Sequence, residues 1–240
     1  RWEYYSYSPA NLTTAQQYFE QAVAEDGDYA EAYAYLSYCR TTAYVFTWPG
    51  ADETLDPALN LARKAVALDP RSALAHARLG WVLGFMGRFD EAVSSFEIAI
   101  AREPENAEAL YAYGETMNRG GKPIRALPIL EKAFSVDEYF PPSWEFAKAH
   151  SFVLMKRFED GLGILLPALA RTPRLVPARV QLARTYGEMG RWTEAAAAVS
   201  EIRKSAPNYC LSSAARMFPY PTKLERDRLL NTLRAAGLPD

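Results

Sequence analysis

A spacing of 34 residues organises this chain. Between Ala73 and Asn106 the residues Leu79-Gly80, Leu83, Gly87-Arg88-Phe89, Glu91-Ala92, Phe96, Ala99 and Pro104 follow one another, and a shift of 34 places Gly80 on Gly114, Gly87 on Gly121, Ala92 on Ala126 and Ala99 on Ala133, with Phe140 closing the second unit as Asn106 closes the first. Val176 to Tyr209 repeats the order in Leu182, Tyr186, Gly190-Arg191-Trp192, Glu194-Ala195 and Pro207. A weaker copy, Pro141 to Leu175, is one residue longer and has Gly161 where the small alanine is expected. Toward the N-terminus, Ala58, Ala65 and Pro70 stand 34 residues before Ala92, Ala99 and Pro104, whereas Ala15 and Ala22 precede Ala58 and Ala65 by 43. About nine residues are therefore inserted there, and Thr47 to Glu53, with Trp48-Pro49-Gly50, is the expected loop. A chain with such a period cannot bury the apolar face of one unit alone; it folds by stacking units, so its core grows with their number.

Each recurring residue has a mechanical reason. Small residues at the Gly80, Ala92 and Ala99 positions let two antiparallel helices, A and B, approach to about 8–10 Å, and Phe96 or its equivalents fill the space between them. The glycine at 87, 121 or 190 suits a helix C-terminus, and Pro70, Pro104, Pro173 and Pro207 stop helix B. The expected boundaries are 1–29, 30–72, 73–106, 107–140, 141–175 and 176–209, followed by a capping segment, 210–240. The first unit would pair Trp2 to Ser8 with Leu12 to Ala24. The last helix, Lys223 to Ala236, would shield the final apolar face with Lys223, Glu225, Arg226, Asp227 and Arg228. The fold class expected is all-α, a single right-handed superhelix of about six helix pairs with a C-terminal cap.

This pattern resembles the tetratricopeptide-repeat family over nearly the whole chain. A narrower resemblance rests on Trp2 to Tyr29, on Ala-Val-Ala-Leu-Asp-Pro at 65–70, and on the ending Leu-Arg-Ala-Ala-Gly-Leu-Pro-Asp at 233–240. These segments look like the C-terminal repeat region of bacterial class III adenylate or guanylate cyclases and related winged-helix regulators, where a closing Gly-Leu-Pro-acid sequence follows the last helix. The resemblance implies a regulatory appendage of a larger bacterial signalling protein. The start at Arg1, with no initiator Met, fits that expectation.

Few chemistries find their residues. Gly121-Lys122-Pro123 has Thr116 where a phosphate loop needs its first glycine and no hydroxyl after the lysine. His76 and His150 stand about two repeats apart, and a metal site normally needs three or four converging ligands. No Gly-x-Ser-x-Gly elbow is present. We therefore expect no enzyme activity, no cofactor and no metal. A net charge of −2 gives no field for nucleic acid or an anionic membrane, and no apolar run reaches the roughly 20 residues of a membrane span. The two cysteines, Cys39 and Cys210, make no disulfide framework, which points to a reducing, cytoplasmic setting.

The family resemblance implies a concave face lined by helix A residues at unit positions 2, 5, 9, 12 and 13. Those positions read Glu31, Tyr38 and Thr41 in the second unit, Trp81 and Phe85 in the third, Glu108, Tyr111, Glu115, Asn118 and Arg119 in the fourth, and Arg184 and Glu188 in the sixth. Aromatic and arginine side chains carry interface energy, so a protein or peptide segment is the expected partner. Packing against neighbouring helices is the alternative role of Trp81 and Phe85. The Lys and Asn pair by which chaperone-tail receptors clamp a terminal carboxylate is replaced by Ala34 and Tyr38, Ala77 and Trp81, or Tyr111 and Glu115. A homodimer through exposed edge helices is compatible with the pattern. The competing reading is a sensor whose curvature responds to a small molecule or peptide.

Overall fold

The computed structural model describes residues 9–48, 50–137, 140–141 and 144–240, and among these there are thirteen helices and no strand. In chain order the helices are α1 (Pro9–Glu25), α2 (Ala30–Val45), α3 (Asp56–Leu68), α4 (Ala73–Phe85), α5 (Phe89–Arg102), α6 (Ala107–Arg119), α7 (Pro123–Val136), α8 (Glu145–Leu154), α9 (Phe158–Arg171), α10 (Val176–Glu188), α11 (Trp192–Ser205), α12 (Leu211–Met217) and α13 (Lys223–Ala235). The expected short helix at Trp2 to Ser8 lies outside the described residues. The chain forms two compact units, Arg1–Thr116 and Met117–Asp240, here the N-terminal and C-terminal halves.

In the N-terminal half, α1 packs on α2, α2 on α3 and α4, and α4 on α3 and α5. Local sequence sets the ends. Ser72 caps α4 by accepting the Ala75 N–H at 3.1 Å, and Asn106 accepts the Ala109 N–H at 2.9 Å. Helix α4 closes on Gly87, at φ +74°, with Arg88 N–H donating to the Leu83 carbonyl at 2.9 Å. Gly80 is where α4 and α5 meet: a Cβ there would stand 2.8 Å from the ring of Phe96, which is fully buried. Burying that ring contributes roughly 2–3 kcal/mol, and it is possible only because position 80 has no side chain. The inserted loop runs between Val45 and Asp56 and contains Thr47 and Gly50, both at positive φ.

In the C-terminal half, α8 pairs with α9 and α10 with α11, and α7 and α9 bridge to the next pair. The turns after Met117 and Tyr186 repeat the α4 closure through Gly121 and Gly190, at φ +70° and +76°. The turn after Phe152 has the same 2.9 Å bond, from Arg157 N–H to the Phe152 carbonyl, but places Lys156 at φ +59°. A Cβ-bearing residue holds the left-handed position there, at a cost of about 1 kcal/mol.

The C-terminal segment holds more than the expected capping helix. Besides α13 it contains α12, and α13 packs on α10 and α12. A Cβ on Gly187 of α10 would collide with Thr232 of α13, so the two helices lie in close contact. The ending 237–240 is integrated: Gly237 closes α13 at φ +95°, Leu238 is buried, and the Pro239 carbonyl accepts the Leu211 N–H at 2.9 Å.

Candidate functional site

Most of the side chains expected to line an open face are buried. In the N-terminal half Glu31 is exposed and Glu108 half-buried, whereas Tyr38, Trp81, Phe85, Tyr111 and Glu115 are buried. Thr41 is also buried and donates to the Ser37 carbonyl at 2.8 Å, a packing role. Trp81 and Phe85, one helical turn apart on α4, meet edge to face with centroids 4.9 Å apart.

The organising group is Arg78, which the sequence reading passed over. Its guanidinium lies 4.4 Å from the centre of the Tyr38 ring and 5.4 Å from that of Tyr35, and it donates to Glu108 at 2.7 Å. A cation only 3% exposed is stable there because α2 supplies ring faces and α6 a carboxylate. The available signal was an arginine amid the apolar run of α4, on the same stripe as Trp81 and Phe85. His76 bonds through Nε2 to the Pro70 carbonyl at 3.0 Å.

In the C-terminal half the expected residues are brought together around the chain's own C-terminal segment. Asn118 donates to the Ala147 carbonyl and accepts from Ser151, both at 2.8 Å, tying α6 to α8. Arg119 donates through Nε to the Met217 carbonyl at 3.2 Å. Tyr220 places its hydroxyl 2.7 Å from His150 Nε2 and 2.6 Å from Arg184 Nη1. The phenol oxygen accepts from the guanidinium, and the tautomer of His150 sets which of the two groups donates in the other bond. Phe218 meets the His150 ring edge to face, at 5.3 Å. Glu188 binds Arg184 at 2.7 Å and Arg228 of α13 at 3.3 Å. Burial works against the Arg184 charge, but Tyr220 and Glu188 outweigh it and raise the pKa of the guanidinium. Between these contacts Pro221 and Glu225 approach Gly121. Residues 217–232 therefore run across α6, α8 and α10: α13 packs on α10 of the last repeat, and the chain before it reaches α6 and α8.

His150, Tyr220 and Gln181 complete this polar interior and were not singled out as site residues. Gln181 is fully buried, and neither amide atom has a hydrogen-bond partner among the described residues. Among those residues no group of three or more His, Cys, Asp or Glu side chains could hold a metal ion, and no helix is long and apolar enough to cross a membrane.

Residues 78–135 match one tetratricopeptide-repeat family model and residues 176–201 match another. No curated protein matches the chain by sequence. Among solved structures, the APC/C hetero-tetramer Cut9-Hcn1 is similar at 14% identity over 87% of this chain and 39% of that one, with a TM-score of 0.67. A tetratricopeptide repeat protein from Parabacteroides merdae ATCC 43184 is similar at 16% identity over 94% and 93% of the two chains, with a TM-score of 0.58. PilW, a widely conserved type IV pilus biogenesis factor, is similar at 22% identity over 75% and 80%, with a TM-score of 0.57. At these identities the likeness is one of fold. The chain is all-α and carries tetratricopeptide repeats, units that generally serve as non-catalytic scaffolds for protein interaction.

Proposed function

We propose that this chain is a protein-interaction scaffold that receives a polypeptide segment on its helix A side chains, as the regulatory part of a larger signalling protein. The observation that carries the reading is the acidic edge of that face: Glu31, exposed, and Glu108, half-buried, both act on Tyr35 beside the caged Arg78. An accessible acidic rim over a packed aromatic floor suits a segment carrying basic residues. The segments 65–70 and 233–240, which resemble the repeat regions of bacterial cyclases and winged-helix regulators, support a place beside a catalytic or DNA-binding domain.

Site-specific photocrosslinking tests the face. A benzophenone side chain at Glu31 is expected to capture the partner in cells of the source organism, and one at Ile124, 78% exposed on α7, to capture none. Capture from position 124 alone would assign the interaction to the helix B side.

A further inference from the structure

Residues 217–228 make the contacts that a bound segment would make. The Met217 carbonyl accepts from Arg119, Phe218 stands edge-on to His150, the Tyr220 hydroxyl is shared by His150 and Arg184, and Arg228 pairs with Glu188. These four receiving side chains come from three helices, α6, α8 and α10. Three of them, Arg119, Arg184 and Glu188, stand at positions the repeat pattern assigns to a partner. The apolar grip of the segment comes from Met217 and Phe218 and, on α13, from Leu229 and Leu233, its two buried side chains. The fit is incomplete at Gln181, which precedes Arg184 by three residues and Glu188 by seven and so shares their helix stripe. Its buried amide gets no hydrogen bond from the segment, a destabilising state that a better-matched guest would relieve.

We propose that this surface of α6, α8 and α10 is a peptide-binding site occupied in cis by residues 217–232, and that a partner segment of the same chemistry exchanges with it. The partner carries an apolar pair, a tyrosine hydroxyl two residues later, and a basic side chain about two helical turns beyond. A carboxylate in place of the phenol is disfavoured, because Glu188 already neutralises Arg184. The proposal rests on the interaction-scaffold reading and adds the occupant and its chemistry.

The test uses the full chain and, as probe, a fluorescent peptide with the sequence of residues 214–228. Arg228→Ala removes the guanidinium that meets Glu188 from a side chain 47% exposed. It is expected to speed amide exchange over 218–235 about tenfold and to tighten peptide binding about tenfold by fluorescence anisotropy, with α8 and α10 amides unchanged. Gly187→Val, whose Cβ collides with Thr232, is expected to exceed both effects; if that variant does not fold, Arg228→Ala decides alone. Equal peptide affinity in wild type and Arg228→Ala would overturn the proposal, as would exchange of 218–235 in step with α10. Dimerisation of Arg228→Ala in place of peptide uptake would assign the site to a second copy and overturn the separate partner. Crosslinking at Glu31 without peptide uptake sinks this inference and leaves the scaffold reading standing; peptide uptake without crosslinking at Glu31 supports both and removes only the N-terminal face as the receiving surface.

Discussion

Arg78 and Arg184 are buried to the same extent, 3% exposed, yet they are held in different ways. Arg78 is caged within the repeat array, by Tyr35 and Tyr38 of α2 and Glu108 of α6, and Glu108 keeps 28% of its side chain in solvent. Arg184 is held by Glu188 on its own helix and by Tyr220 from the C-terminal segment, and Glu188 is only 5% exposed. The first arrangement forms whenever the repeats stack. The second is complete only while the segment lies on α10, so the same side chain in two repeats serves as a fixed tie in one and as a docking point in the other.

The two cysteines offer the widest test of this contrast. Burial pushes the Cys39 thiol on α2 up to about 12, against the pull of Arg78. At Cys210, just before α12, partial burial is outweighed by hydrogen bonds from Ser212 and Ser213, which hold the thiol below its usual value. At any given pH Cys210 therefore carries the larger thiolate fraction of the two. Iodoacetamide, followed by mass spectrometry, is expected to label Cys210 at least roughly a hundredfold faster. Comparable rates in the native protein would mean that α2 opens as readily as the C-terminal segment.

The arginines come next. Arg184→Ala leaves the Glu188 carboxylate buried with one cation fewer and is expected to cost about 3 kcal/mol or more in urea unfolding. Arg78→Ala leaves Glu108 able to turn to water, so its cost is about 2 kcal/mol. Hydrogen exchange separates them further: Arg184→Ala loosens 218–235 first, whereas Arg78→Ala spares that segment. Equal losses confined to the helices of the repeats would erase the distinction.

Two substitutions with smaller effects act on the C-terminal half alone. Gln181→Met replaces an orphaned amide by an apolar side chain of similar length and is expected to add about 1 kcal/mol. A loss of that size would show that water or another group already satisfies the amide. Lys156→Gly restores the residue used at 87, 121 and 190 and is expected to add up to about 1 kcal/mol, read as a shift of the urea midpoint at unchanged slope.

The helix pairs were legible because their determinants are local and periodic. Glycine at 87, alanine at 92 and proline at 104 act within one turn or one hairpin, and recur at the repeat spacing, 34 residues or 35 across the longer unit. The same locality explains why α13 was expected within one residue of its observed end. Its position was not legible. Nothing within 223–235 says that Thr232 meets Gly187 or that Arg228 meets Glu188; those contacts join residues about forty apart that share no repeat register. The face suffered likewise. Unit positions name the side chains on one stripe of helix A, but whether a stripe is open or covered depends on where the remaining chain lies.

By itself, then, the sequence determined the fold class, the turn geometry at Gly87, Gly121 and Gly190, and the stripe that bears Trp81, Phe85, Arg119, Arg184 and Glu188. Only the tertiary structure decided that Arg78 is the centre of the N-terminal face, that Tyr220 and His150 complete the C-terminal one, and that residues 217–232 cover it. The reason is physical. A 34-residue period fixes energies that depend on neighbours along the chain, whereas a covered groove depends on a long-range contact made once, which leaves no periodic trace.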